Sequence, residues 1–377
     1  MKIFLSISLI LLSLSLSIFP AGTANKPAVI AYVFCENDLL DGKAIAAEKL
    51  THINYAFADI REGRMVEGFK RDAENFAVLN SLKKRNPDLR IMVSVGGWTW
   101  SGNFSDMVLT AASRKVFIDS AMAFLERYDL DGLDVDWEYP GLIGYGNKFR
   151  PEDKENFSLF LDECRQRLNE LGKKKCKYLL LTAAVGASEE FIEHTEMAKV
   201  GKYLDLVNLM TYDFSEAEVD PITTHHSCLY TNPAAPKTQS VDTMTTAFIK
   251  AGVPAAKLVV GVPFYGRTWG TVEKRNQGLF QPGKVANKHY DTSYAGIAKT
   301  LLPGGDFIRC WDPIAHAPFL WNEKEMVFVS YDDPQSIAEK CQFIKAKGLR
   351  GMMFWAYGED GGLLLAVMAK QLLKINL

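Results

Sequence analysis

Asp131-Gly132-Leu133-Asp134-Val135-Asp136-Trp137-Glu138-Tyr139-Pro140 is the stretch on which the reading of this chain turns. Successive side chains of a β-strand point to opposite faces. Asp134, Asp136 and Glu138 therefore share one face, and Leu133, Val135 and Trp137 share the other. The acidic face could look into water on a half-solvated antiparallel sheet, or into a closed interior if the strand is parallel and covered on both sides. The rest of the chain favours the second case. Short β-rich runs at 28–34, 52–58, 90–95, 132–137, 178–185, 204–211, 258–263 and 351–355 alternate with helical patterns at 43–49, 73–84, 112–128, 152–172, 189–200, 241–251, 333–347 and 362–375. Eight strands, apolar on both faces and each followed by a helix, predict an α/β fold: a closed parallel TIM (β/α)8 barrel. The open doubly wound sheet is disfavoured, because no Gly-rich phosphate turn follows the first strand.

One connection is too long for a barrel loop. Between the seventh strand and the helix at 333, residues 268–330 carry apolar runs of their own and predict a small α+β insertion. No repeat, low-complexity tract or Pro/Ser-rich linker marks off a further module. At the N-terminus, Met1-Lys2, an apolar run from Ile3 to Phe19 and small residues through Ala24 read as a secretory signal, residues 1–24, cleaved to leave a catalytic unit at 25–377. An uncleaved anchor helix is the alternative. No later stretch is long and apolar enough to span a membrane, so the expected location is secreted or periplasmic. The 377 residues hold 43 basic and 45 acidic side chains. That balance, without blocks of one sign, argues against nucleic acid as a partner. The six cysteines show no C-x-x-C spacing, and their pairing is left open among 15 arrangements.

Three carboxylates facing a closed interior cannot all ionise, so at least one must hold its proton at neutral pH. A protonated carboxylic acid beside ionised partners is what general acid catalysis requires. Glu138 stands at the C-terminal end of the strand, where barrel enzymes place their chemistry. A Mg²⁺ site is the rival reading of such acids, but inward positions of one strand lie in line, whereas barrel metal sites draw on several strands. Neither cofactor nor metal is expected. Trp98, Trp100, Trp269 and Trp355 fall at or just past strand ends, and Trp311 lies in the insertion. Their faces suit the apolar faces of pyranose rings. Trp137 faces away from the acids and reads as core. Tyr32, Phe57 and Tyr139, also at strand ends, complete the candidate binding surface.

Asp131-x-x-Asp134-x-Asp136-x-Glu138 resembles the signature of glycoside hydrolase family 18, the chitinases and their relatives. Ser94-Val95-Gly96-Gly97-Trp98, Asn208-Leu209-Met210-Thr211-Tyr212-Asp213, Gly261-Val262-Pro263-Phe264-Tyr265-Gly266-Arg267 and Met353-Phe354-Trp355 resemble the motifs of strands three, six, seven and eight. The insertion resembles that of the subgroup with an extra α+β subdomain. The resemblance implies cleavage of β-1,4-N-acetylglucosamine linkages in chitin or its oligosaccharides, by a chain working as a monomer. An ordinary retaining glycosidase needs a second carboxylate about 5–5.5 Å from the acid, and residues 262–267 contain none. Family 18 is itself a named exception, in which the substrate's 2-acetamido group attacks. The roles implied by resemblance are Glu138 as acid and then base, Asp136 as orienter of the acetamido N–H, and Asp134 as a carboxylate sharing a proton with Asp136. Tyr212 would donate to the acetamido oxygen. Met210 and Asp213 would line the reacting subsite over a Trp355 floor, and Arg267 would contact substrate or serve as a loop salt-bridge partner. Three alternatives stay open: an endo-β-N-acetylglucosaminidase on N-glycans, an inactive chitin-binding lectin, and a metal-dependent lyase or isomerase.

Overall fold

The computed structural model describes residues 26–375. The expected signal at 1–24 lies outside them. In chain order the strands are β1 Ala28–Phe34, β2 His52–Arg61, β3 Arg64–Val66, β4 Arg90–Gly96, β5 Gly132–Asp136, β6 Leu180–Gly186, β7 Leu206–Met210, β8 Leu258–Pro263, β9 Arg267–Gly270, β10 Lys284–Val285, β11 Ile308–Asp312, β12 Ala317–Asn322, β13 Val327–Ser330 and β14 Gly351–Trp355. Eight of these, in the order β1-β14-β8-β7-β6-β5-β4-β2, pair in parallel, and β2 closes onto β1. The expected TIM barrel is present. Between β8 and β14 the chain builds a second, antiparallel sheet in the order β10-β9-β13-β12-β11.

Leu133, Val135 and Trp137 enter the apolar layer between barrel and helices. Trp137 stacks on Phe104 at a 5.2 Å ring separation and meets Phe157 edge-on at 5.8 Å, so its placement as core is correct. The inner face is more mixed than the reading of strands apolar on both sides. Ala28, Ile30, Tyr32, Ala184, Leu206, Val259 and Met353 form one apolar part of the interior. Asn54, Ser94, Asp134, Thr182 and Asn208 are buried polar residues of β2, β4, β5, β6 and β7. Side chains of one layer can satisfy one another across neighbouring strands, so the interior tolerates them.

Several helices differ from expectation. The segment at 43–49 forms only a 3-10 turn, Ala47–Lys49. The stretch at 189–200 splits into Glu189–Glu193 and Met197–Tyr203. Helices Ala111–Arg127, Asp153–Lys175, Val241–Lys250 and Pro334–Lys347 lie where the periodicity put them. Residues 211–240 are a second long connection that the sequence reading passed over. They are held by polar ties: Trp269 Nε1 donates to the Asp220 carbonyl at 2.9 Å, and Asn232 donates to Asp312 at 2.8 Å. The wholly buried Lys340 ammonium sits 2.6 Å from Asp332 and donates to the Ser227 carbonyl at 2.7 Å. The six cysteines are free thiols. Among the described residues no helix is long and apolar enough to cross a membrane.

Candidate active site

A cleft of about 910 Å³ opens at the C-terminal ends of the barrel strands. The inward face of β5 forms its floor. Gly96, at φ +106°, ends β4 where a Cβ would lie 2.1 Å from the Asp136 carbonyl oxygen, so only glycine lets the two strand ends meet there. Gly97 N–H donates to that carbonyl at 2.8 Å. The Ser101 hydroxyl donates to it at 3.3 Å and accepts the Glu138 N–H at 2.9 Å. One serine thus clamps the backbone on both sides of Trp137.

The three acids sit in different surroundings. Asp134, at the bottom, accepts hydrogen bonds from Ser94 Oγ at 2.7 Å, Tyr32 Oη at 2.9 Å, Asn208 Nδ2 at 3.3 Å and the Thr182 hydroxyl. Burial raises its pKa, and these donors oppose the rise. Asp136 is buried with Oδ1 unpartnered. Its pKa lies well above the carboxylate range, first through burial and then through the charges of Glu138 and Asp134. Asp134's acceptors are thus taken by the barrel interior, while Asp136 keeps an open oxygen. Glu138 is raised to about 7, chiefly by burial, with the Tyr139 hydrogen bond opposing and the Asp213 charge adding to the rise. A carboxylic acid that keeps its proton near neutrality can donate it to a leaving group.

Above the acids lies Tyr212, whose phenol burial keeps neutral, reinforced by Asp136 and Asp213. Asp213 follows it in the left-handed region at φ +55°. Its carboxylate accepts from Tyr265 Oη at 2.6 Å and from Arg267 Nε at 2.7 Å, and lies 3.3 Å from His226 Nδ1. Burial would raise its pKa, but His226 and Arg267 outweigh that and hold it below the usual carboxylate range. Arg267 also reaches Glu216 at 3.5 Å. The salt-bridge role and the position in the cleft therefore coincide in this residue. The Trp355 indole stacks on Phe57 at 5.5 Å and meets Phe34 and Tyr32 at 5.9 and 6.0 Å.

Of the residues singled out in the sequence, Phe57, Trp98, Trp100, Asp136, Glu138, Tyr139, Met210, Tyr212, Asp213, Arg267 and Trp355 line the cleft. Tyr32 and Asp134 lie beneath it in the barrel interior, joined by their hydrogen bond. Two placements need correction. Trp269 pairs directly with Phe328 across β9 and β13 and is buried in the core of the second sheet, with its N–H taken by the Asp220 carbonyl. Trp311, on edge strand β11, packs under the Arg309 guanidinium at 5.3 Å. Neither belongs to the lining. Tyr265 was missed, although it stands two residues before Arg267 in the quoted motif and lines the cleft. Phe69, which follows the β2–β3 hairpin and packs on Trp100 at 4.9 Å, had no sequence signal. Glu216, Lys237 and Gln239 reach the cleft from the unread connection at 211–240.

Residues 28–360 match the family model described as "Glycosyl hydrolases family 18". The chain is 38% identical over 372 residues to chitinase A1 of Niallia circulans, covering 83% of this chain and 53% of that protein. It therefore spans about half the length of that relative. It is 34% identical over 318 residues to chitotriosidase-1 of Mus musculus, covering 82% of this chain and 67% of the other. Among solved structures, a glycoside hydrolase family 18 N-acetylglucosaminidase from Paenibacillus barengoltzii superposes with a TM-score of 0.83 at 38% identity, covering 92% of this chain and 100% of that one.

Proposed function

Because the chain belongs to glycosyl hydrolase family 18, we propose that it hydrolyses β-1,4 linkages between N-acetylglucosamine units of chitin, with retention and with the substrate's acetamido group as nucleophile. Glu138 gives its proton to the glycosidic oxygen as the C1–O bond breaks. The acetamido carbonyl oxygen bonds to C1 from the opposite side, forming a cyclic oxazolinium ion. Water then opens that ring at C1, and the Glu138 carboxylate takes the water's proton. Asp136, with its unpartnered Oδ1, accepts the acetamido N–H and aims the group. Tyr212 donates to the acetamido oxygen. Trp355 carries the apolar face of the reacting sugar, and residues 25–377 act as one catalytic unit behind an export signal.

The observation that carries this reading is the state of the cleft acids. Burial raises Glu138 to about 7, beside a buried carboxyl with an open acceptor. Asp213, the acid across from it on the β7 end, has its oxygens engaged by Tyr265, Arg267 and His226, which makes it a poor nucleophile. The N-acetylglucosaminidase named among the similar structures favours a second reading of product size, in which single sugars are released. Mass spectrometry of chitohexaose digests tests both. Cleavage that is lost in Glu138→Gln and absent on cellohexaose is expected. Efficient cleavage of cellohexaose, or no cleavage of chitohexaose, would refute the proposal, and the oligomer ladder separates monomer release from internal cutting.

A further inference from the structure

The cleft does not stop at its catalytic floor. The ends of β14, β1 and β2 place Trp355, Phe34 and Phe57 on one half of the barrel mouth. The ends of β4, β5 and β6 place Trp98, Tyr139 and Glu190 on the other, with Glu138 between. If Trp355 supports the sugar whose C1 reacts, the leaving group extends toward the β4 and β5 loops. There the surface is apolar and uncovered. Trp98 is 48% exposed, Ile143 76% and Tyr145 62%. The Tyr145 ring lies 6.1 Å from that of Trp98, which in turn lies 6.3 Å from Tyr139.

This exposure is built in. The loop at 141–147 is tied down on the catalytic strand end. A Cβ on Gly144 would stand 2.2 Å from the Glu138 carbonyl oxygen, so the loop backbone rests directly on Glu138. The buried Asn147 donates to the Leu142 carbonyl at 2.9 Å and accepts the Gly144 N–H. Gly146 N–H donates to the Gly144 carbonyl at 3.0 Å. Ile143 and Tyr145 are thus displayed from a fixed backbone, and the patch runs without a break into the cleft, since Trp98, Leu142 and Ile143 line it. Contiguous exposed apolar surface marks a binding site, and flat aromatic surfaces suit sugar faces.

We propose that Tyr145, with Ile143, is a sugar platform beyond Trp98, holding the second unit on the leaving-group side of a chitin chain. This rests on the chitin-cleaving reading and names how far the bound chain extends. Its consequence is a preference for long substrates. The test compares chitohexaose with an aryl chitobioside, whose leaving group is too short to reach Tyr145. In Tyr145→Ala, kcat/KM for chitohexaose is expected to fall roughly three- to ten-fold, about the size of one aromatic stacking contact, with the aryl chitobioside unchanged. Tyr145→Trp should restore chitohexaose cleavage, and Ile143→Ala should show a smaller loss of the same kind. An unchanged chitohexaose rate in Tyr145→Ala would overturn the platform, as would an equal loss on both substrates. A change in oligomeric mass by light scattering without a change in chitohexaose kinetics would make the patch a self-association face and also overturn it. Calorimetric binding of chitohexaose in the Glu138→Gln background keeps the test apart from the catalytic reading. Tyr145→Ala should weaken binding by a similar factor there even if the wild type cuts nothing, and equal affinities would contradict the proposal.

Discussion

One strand carries acids of opposite behaviour at its two ends. At the start of β5, Asp131 is buried among cations, with Lys177 Nζ at 2.5 Å, Lys83 Nζ at 2.7 Å and Arg90 at 3.8 Å. It also accepts the Ile91 N–H at 2.7 Å. Burial alone would raise its pKa, but Lys177, Lys83 and that amide bring it below the ordinary value. Seven residues on, Glu138 is buried with no cation against it among the described residues and with Asp213's charge nearby, and it is raised to about 7. Both are buried carboxylic acids, and what differs is the charge beside them. The N-terminal face of a barrel serves stability and the C-terminal face serves chemistry. Under the proposed function, a single run of acids spans both.

The comparison can be broken most forcefully at its catalytic end. Glu138→Gln should lower kcat on chitohexaose by about 10³-fold or more, since general acid–base groups contribute about 10²–10⁴, while the thermal midpoint holds or rises. A matching loss of stability would erase the distinction. Asp131→Ala should do the reverse. Removing one partner of a buried ion pair costs about 3 kcal/mol or more, measured by urea unfolding, while kcat/KM at low temperature stays near wild type. Lys83→Ala sharpens the point. Lys177 and Arg90 remain, so the expected loss is about 1 kcal/mol. The pH dependences also run in opposite directions. The folded pKa of Asp131 is depressed, so its contribution is present above the ordinary carboxylate pKa of about 4 and is lost as pH falls through the folded value. Unfolding free energies from pH 7 down to pH 3 should therefore fall less steeply in Asp131→Asn than in wild type.

Much of this was legible in the sequence, because period-two alternation and βα spacing are strong signals. The acids of 131–138 fixed β5 and its facing, and Trp137 fell where alternation sent it. What failed had local causes. Residues 211–240 carry no periodicity, and their structure comes from ties to the side chains of Asp312, Lys340 and Ser330, none of which is a short-range pattern. Trp269 was misplaced because an aromatic just past a strand end looks the same whether it faces sugar or core. Its partner Phe328 lies 59 residues away along the chain and adjacent across the sheet. Asp134 was foreseen as a carboxylate sharing a proton. Its four donors come from β1, β4, β6 and β7, and only barrel closure brings them together.

The central claim is that burial without a compensating cation, with Asp213's charge adding to it, holds the proton on Glu138. The most direct measurement is the pH dependence of kcat/KM for chitohexaose in wild type, Asp213→Asn and Asp131→Asn. The wild-type rate should fall above about pH 7 as Glu138 loses its proton. That limb should move to lower pH when Asp213's charge is removed, and stay in place when Asp131 is neutralised. A wild-type limb at the ordinary glutamate value, near 4.3, or a limb that follows Asp131 and ignores Asp213, would contradict the account.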